Sequence, residues 1–265
     1  MKAVAYSLKD VAGVNIVDVL RQRHGFTEDG SFQGNPVYRL DDCVLVAYSD
    51  SLLYAESFPF EVEFCVVASR HRSQSGKPTL TCHSPGNFGK AEAGGESGSL
   101  AFSPAKLIKK SLDSLKACAV DLTYDVSLEV THHGPTELTC PLVFVEVGSK
   151  MNQWQDMAAC TVAAKAIEAC LFGEEDEVPV GIGFGGPHYA PNFTQISGMA
   201  LGHILPKYAR DFLTEELFLQ MIEKTVPKPT YCVLDWKGLR GAEKKKITAY
   251  AEKHGLLVER TTNLK

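Results

Sequence analysis

Eight short apolar or alternating runs punctuate the chain, near residues 3–7, 43–49, 62–69, 125–131, 142–147, 178–184, 230–234 and 256–260. Stretches with helical spacing fill much of the chain between them. A period of two reads as strand and a period of 3.6 as helix. Strands alternating with helices predict an α/β fold built on a mixed, mostly parallel sheet, because each helix must bury its apolar stripe against a sheet. The segment "DVAGVNIVDVLRQRHG" has Asp10 as N-cap and Gly25 as stop. "SPAKLIKKSLDSLKA" opens with Ser103 as cap and sets Ile108, Leu112 and Leu115 on one face. The alanine-rich "MNQWQDMAACTVAAKAIEACLFG" predicts one buried helix ended by Gly173, and "TEELFLQMIEK" another capped by Thr214. With no Pro/Gly/Ser linker between two cores, residues 1–265 are expected to form a single domain.

Composition narrows the partners. At 265 residues and 45% hydrophobic, the chain can bury a sizeable core, and it has no apolar run of the length that spans a membrane. The opening "MKAVAYSLKD" lacks the apolar centre of a signal peptide, so a cytoplasmic protein is expected. Eight scattered cysteines without a C-x-x-C pair read as small buried hydrophobes in a reducing compartment, not as disulfides or a zinc knuckle. A net charge of −5 argues against a nonspecific coat for nucleic acid and gives no reason to expect DNA as a partner. Local basic patches remain at Lys106, Lys109 and Lys110 and at "KGLRGAEKKK" (237–246), each reading first as a solvated helix face.

Four predicted strands run into polar clusters: "SRHRS", "THHGPT", "EVGS" and "GGPHYAP". In open α/β sheets, ligands bind beyond the carboxyl ends of the strands, where loops converge. His132 and His133 sit at such an end. Neighbours in a regular strand point to opposite faces, so both reach one ligand only where the strand has stopped, as Gly134-Pro135 suggests. Neutral imidazole is a zinc ligand and also an acid or base near neutral pH. Glu146, inside "VFVEVGS", is a carboxylate in an apolar run and calls for a cation. Taken singly, each histidine reads as a hydrogen-bonded structural residue; the convergence of several clusters favours a site. "GFGGPHY" has neither the G-x-G-x-x-G nor the Walker pattern, though its glycines would let backbone amides approach a ligand.

Taken in order over residues 69–238, the strings "SRHRSQSGKPTLTCHSPGN", "EVTHHGPTE", "FVEVGSKMNQWQD", "GFGGPHYAPNFT", "GHILPKY" and "LDWKG" resemble the archaeal- and plant-type D-aminoacyl-tRNA deacylases. Pro187 stands where that family suggests a third glycine, and Asn192 where it suggests an arginine. The resemblance implies a three-layer α/β/α domain like that of phosphorylases and peptidyl-tRNA hydrolases. It implies a zinc-dependent esterase that removes D-amino acids from mischarged tRNA, and family members are also associated with aldehyde-modified D-aminoacyl-tRNA. On this reading His132, His133 and His188 form the metal or acid–base group, with Glu146 in or behind it, and His71, His83 and His203 come next. Arg70 and Arg72 would meet the terminal phosphate or ribose, since the guanidinium fork suits phosphate. Tyr189, Lys207 and Lys237, within the matching strings, join His71 and His83 on the substrate and tRNA side. A monomer acting on D-aminoacyl-tRNA is expected. Two other classes stay open: a zinc hydrolase of peptides or N-acyl amino acids, and an RNA- or nucleoside-binding module without chemistry. Metal content and a comparison of charged tRNA with a free ester separate the three.

Overall fold

All eight predicted strands form, but they divide between two sheets. The computed structural model describes residues 1–174 and 177–265. In the larger, eight-stranded sheet the strands lie in the order Asp125–Leu128, Thr79–His83, Leu142–Ser149, Phe64–Arg72, Lys2–Ser7, Cys43–Tyr48, Asn35–Leu40 and Thr27–Phe32. The four central strands run parallel, Thr79–His83 opposes Leu142–Ser149, and Asn35–Leu40 opposes Cys43–Tyr48. The smaller sheet is wholly parallel, ordered Ala200–Leu205, Val180–Phe184, Tyr231–Leu234 and Leu257–Arg260. Every residue of Cys43–Tyr48 and Leu142–Ser149 is buried, as expected of central strands covered on both faces.

The helices Val11–Arg23, Ala105–Cys118 and Met157–Phe172 cover one face of the large sheet, packing Leu20, Leu112 and Ile167 onto Val66 and Val145. The other face, with Val44, Val67 and Phe144, is closed by irregular chain carrying Leu52, Ala55, Leu138 and Cys140. Around the small sheet the α/β/α layering is clear. Ile182, Phe184, Cys232 and Leu234 face the helices Glu215–Glu223 and Gly241–Lys253, while Val233, Leu201 and Ile204 share the first core with Ala105–Cys118. No described helix is long and apolar enough to cross a membrane. All eight cysteines are unpaired, seven of them buried.

Two local expectations are corrected. Ser103 does not cap the helix at 105: its side chain is fully buried and its hydroxyl accepts from Ser84 Oγ at 2.6 Å, while Ser103-Pro104 pairs with Thr225-Val226. The alanine-rich stretch is not one helix. The Asp156 carboxylate accepts from the backbone N–H groups of Ala158 (2.9 Å) and Ala159 (3.4 Å), so a new helix starts there, after the short turn Met151–Trp154. Asp10 behaves as expected, accepting from Gly13 N at 2.9 Å.

The two sheets are stitched together beside the edge strand Asp125–Leu128. Val130 N–H donates to His188 O at 3.0 Å, Ala190 N–H to Leu128 O at 2.9 Å and Thr131 N–H to Ile204 O at 3.0 Å. The loop after Val180–Phe184 turns toward that edge through Gly185 and Gly186, whose φ of 100° and 89° suit glycine. This seam carries His188 from the small sheet to the carboxyl edge of the large one.

Candidate active site

At that edge lies a cavity of about 420 Å³, lined by His71, His132, His133, His188, Glu146, Arg70 and Arg72, with Leu52, Leu53, Ala93 and Phe144 as an apolar wall. The pairing of Asp125–Leu128 has ended before the histidines, and His133 takes a left-handed φ of 48°. Both imidazoles therefore face one region, with ring centroids 4.4 Å apart. Gly134 is needed there, because a Cβ would lie 2.4 Å from Gly95 N and from Leu53 O.

Three imidazoles are anchored alike. His132 Nδ1–H donates to Val130 O (2.8 Å), His133 Nδ1–H to Gly134 O (2.6 Å) and His83 Nδ1–H to Ser84 O (3.2 Å). A carbonyl acceptor fixes the tautomer, so each ring presents an Nε2 lone pair inward. His83 Nε2 is buried without a partner. His83 stacks on Phe144 at 5.3 Å and its centroid is 4.2 Å from that of His132.

Glu129 is the hub of the other half. Its oxygens lie 3.0 Å from His71 Nδ1, 3.2 Å from His188 Nε2 and 3.4 Å from His132 Nε2, yet neither oxygen has a hydrogen bond of good geometry. A lone-pair nitrogen facing a buried carboxylate oxygen calls for a cation or a proton between them. Glu146 Oε2 is 3.4 Å from His71 Nδ1 and 3.8 Å from His83 Nε2. Three sets of ligand atoms are compact enough to hold an ion: His83, His132 and His133; His71, Glu129 and His188; and His83, Glu129 and Glu146.

The electrostatics separate these groups. Burial pulls His132 down to about 4, against the attraction of Glu129, and His133 down to about 3 with His132 adding to the effect. Burial and the two neighbouring imidazoles push His83 well below the ordinary range. Burial also pulls on His71, but Glu146 and Glu129 outweigh it and raise the ring to about 10. Burial would raise Glu129, yet His188, His132, His71 and His83 hold it well below the usual carboxylate range. Burial lifts Glu146 to about 7, with His71 opposing and Glu129 assisting.

The residues nominated from the sequence fare unequally. His132, His133, His188, Glu146, His71, Arg70 and Arg72 meet at the cavity, and Tyr189 Oη lies 2.9 Å from His71 Nε2. The compact groupings pair His132 and His133 with His83, and His188 with Glu129, rather than all three nominated ligands together. His83 is 1% exposed, so its place is within the cluster, not against a tRNA. His203 is a core residue: Nε2–H donates to Ala101 O (2.9 Å) and Nδ1 pairs with the Thr131 hydroxyl (3.1 Å). Lys207 and Lys237 are exposed and do not line the cavity. Asn192, also outside its lining, donates to Asp235 Oδ2 at 3.1 Å and accepts from Lys265 Nζ at 3.1 Å. Much of the 237–246 patch is engaged: Lys244 Nζ sits 4.5 Å from the Trp236 ring centroid, Lys246 donates to Leu213 O, and Arg240 pairs with Asp211 and Glu243. Sequence reading missed Glu129. The signal that singled out Glu146, a carboxylate inside an apolar run, is equally present in "SLEV".

Fold and site define an α/β protein with a buried histidine–carboxylate cluster whose donor atoms lie close enough together to hold an ion. Residues 58–259 match the D-aminoacyl-tRNA deacylase family, and the chain belongs to it. It is 36% identical to the D-aminoacyl-tRNA deacylase of Thermococcus onnurineus, covering 97% of this chain and 98% of that one. It is 39% identical to that of Methanosarcina mazei over 82% of this chain and 72% of the other. A crystal structure described as a conserved protein of unknown function superposes with a TM-score of 0.94 at 30% identity, covering 100% of this chain and 96% of that one.

Proposed function

We propose that this chain hydrolyses the ester joining a D-amino acid to tRNA, with the cavity at His71, Glu129, His132 and His188 as the reaction centre and a divalent metal, zinc by its donor preference, as cofactor. Family membership supports the reaction. The observation that carries the site is the set of three backbone-anchored imidazoles presenting Nε2 beside a buried carboxylate with no hydrogen-bond partner. The donor set fits zinc, which takes imidazole nitrogen and carboxylate oxygen. His83, His132 and His133 would hold it through their Nε2 atoms, with the Glu129 carboxylate beside them. Bound there, zinc would polarise the ester carbonyl and lower the pKa of a water.

The chain's own groups supply the rest. Glu146, lifted to about 7, is poised to take a proton from the attacking water near neutral pH. His71, held as imidazolium between Glu146 and Glu129 and bonded to Tyr189, sets positive charge beside the carbonyl oxygen as it gains negative charge. Arg70 and Arg72 line the cavity and would hold the terminal phosphate or ribose. Attack on the carbonyl carbon then breaks its bond to the ribose oxygen, which leaves as the hydroxyl after taking the proton that Glu146 had accepted from water.

In this reading residues 1–265 act as a single domain and as a monomer, because one chain supplies His71 and Glu146 from the large sheet and His188 from the small. Eight unpaired cysteines suit a cytoplasmic setting. Parallel deacylation of D-tyrosyl-tRNA and L-tyrosyl-tRNA tests the reading. Rapid release of D-tyrosine with L-tyrosyl-tRNA left near its spontaneous rate is expected; equal rates on both, or none on either, would overturn it.

A further inference from the structure

Past Arg70, the reaction cavity adjoins a second, larger cleft of about 700 Å³. Arg70, Arg72, Ser73, Gln74, Lys150 and Trp154 are among its walls, and Arg70 and Arg72 line both spaces. Among the described residues, no carboxylate lines this cleft, and Arg70, Arg72 and Lys150 make no ion pair. In a chain of net charge −5 it gathers three cations, none in a direct ion pair, with Asp10 the carboxylate behind Arg70. The patch at 237–246 differs, since Arg240 and Lys246 are already bonded within the protein and Lys244 lies on Trp236.

The cleft is also built in advance. The Arg70 guanidinium lies 5.2 Å from the Trp154 ring centroid and donates to Lys9 O at 3.1 Å, while its backbone N–H donates to Asp10 Oδ2 at 2.9 Å. Trp154 is itself fixed by its indole N–H, which donates to His71 O at 3.0 Å. The same indole thus supports a wall of the cleft and the backbone of a residue in the reaction centre. A guanidinium held in this way loses little freedom on meeting phosphate. Ser73 and Gln74 offer neutral hydrogen-bonding groups, and Met151, 49% exposed, offers an apolar surface to a base.

We infer that this cleft receives the single-stranded 3′ end of an RNA, with phosphodiesters on Arg72 and Lys150 and the terminal ribose passing Arg70 into the cavity. The terminal ester is taken from the deacylase reading; the preference for a flexible strand comes from the cleft's own walls. Single strands are bound by cationic grooves with surfaces for stacking, and a space of this size suits a nucleotide or two, not a duplex. The strand then leaves on the Lys150 side; Lys237 and Lys244 line neither space.

The test is fluorescence anisotropy with an uncharged oligoribonucleotide ending in CCA, which needs no hydrolysis. Lys150→Glu should weaken binding by about tenfold or more and flatten log affinity against log salt by at least ~0.7. Lys150→Arg should bind like wild type, as should Lys245→Glu, at a residue that lines neither space. Equal binding by wild type and Lys150→Glu, or a loss confined to Lys245→Glu, would overturn the inference. So would displacement of the oligonucleotide by adenosine monophosphate as efficiently as by the oligonucleotide itself, which would indicate a mononucleotide site. In a second arm, the ratio of kcat/KM for D-tyrosyl-tRNA to that for D-tyrosyl-adenosine should fall about tenfold or more in Lys150→Glu, and an unchanged ratio would count against the cleft. Should wild type cleave neither ester, the deacylase reading fails, while the anisotropy result still decides the cleft.

Discussion

The two halves of the histidine cluster use one residue type for opposite ends. His83, His132 and His133 are tied through Nδ1 to backbone carbonyls and held neutral, with Nε2 lone pairs turned inward. His71 is bracketed by Glu129 and Glu146 and raised to about 10, so it carries a proton. All these rings are largely or wholly shielded from water, so burial alone does not set their state. The partner of Nδ1 does: a carbonyl leaves a ligand, whereas a pair of carboxylates makes a cation.

Glu129→Gln tests this division most severely. It preserves shape but removes the charge around which both halves gather, and should lower kcat/KM by about 10³-fold, the scale of losing a positioned electrostatic group. Bound zinc, measured on the same preparation, should fall as well. Wild-type activity in this variant would break the comparison.

One substitution in each half should then separate their roles. His133→Asn should lose metal and activity together, on the order of 10²-fold. Tyr189→Phe, which removes the hydroxyl beside His71 but no ligand, should retain the metal and lose about tenfold or less. Zinc content alongside kcat gives the answer; metal loss in Tyr189→Phe would merge the halves.

Stability of the chelated protein should respond to pH in opposite senses. The neutral rings have folded pKa values below the unfolded imidazole near ~6.5, so the unfolded chain gains protons first as pH falls, and stability is lost from ~6.5 down to about 4 for His132 and about 3 for His133. His71 has a raised value, so its contribution is present below ~6.5 and lost as pH rises toward about 10. Each fully buried neutral ring, His203 included, adds up to ~1.4 kcal/mol per pH unit to the acid slope, and the partly exposed His132 and His133 add less. Urea unfolding of His133→Asn should accordingly show a shallower fall between pH 6 and 4; an unchanged slope would mean that His133 titrates normally when folded. The smallest effect is expected from Lys244, Lys245 and Lys246 together replaced by alanine. Away from the cavity and partly engaged, they should alter kcat/KM for D-tyrosyl-tRNA by less than about twofold.

Much of the architecture was legible because central strands are continuous apolar runs and edge strands need not be. "CVLVAY" announces itself; "TEDGSF", exposed at the sheet margin, does not. The division into two sheets was not legible, since it depends on which strands pair. At the site, adjacency drew attention to His132 and His133, and the apolar setting to Glu146. Glu129 has the same apolar setting in "SLEV", but its partner His188 is far away in sequence and reaches it only when the 188–190 loop docks beside it. His203 erred the other way: its satisfying partners, Ala101 and Thr131, are distant in sequence, so a core histidine resembled a functional one.

The central claim is that this cluster is a metal centre for ester cleavage. Its most direct test is D-tyrosyl-tRNA deacylation by chelator-stripped enzyme as zinc is titrated back. The account predicts negligible turnover at the start and recovery in proportion to bound zinc, with Glu129→Gln failing to recover. Full activity in the stripped enzyme, indifferent to added zinc, would contradict it.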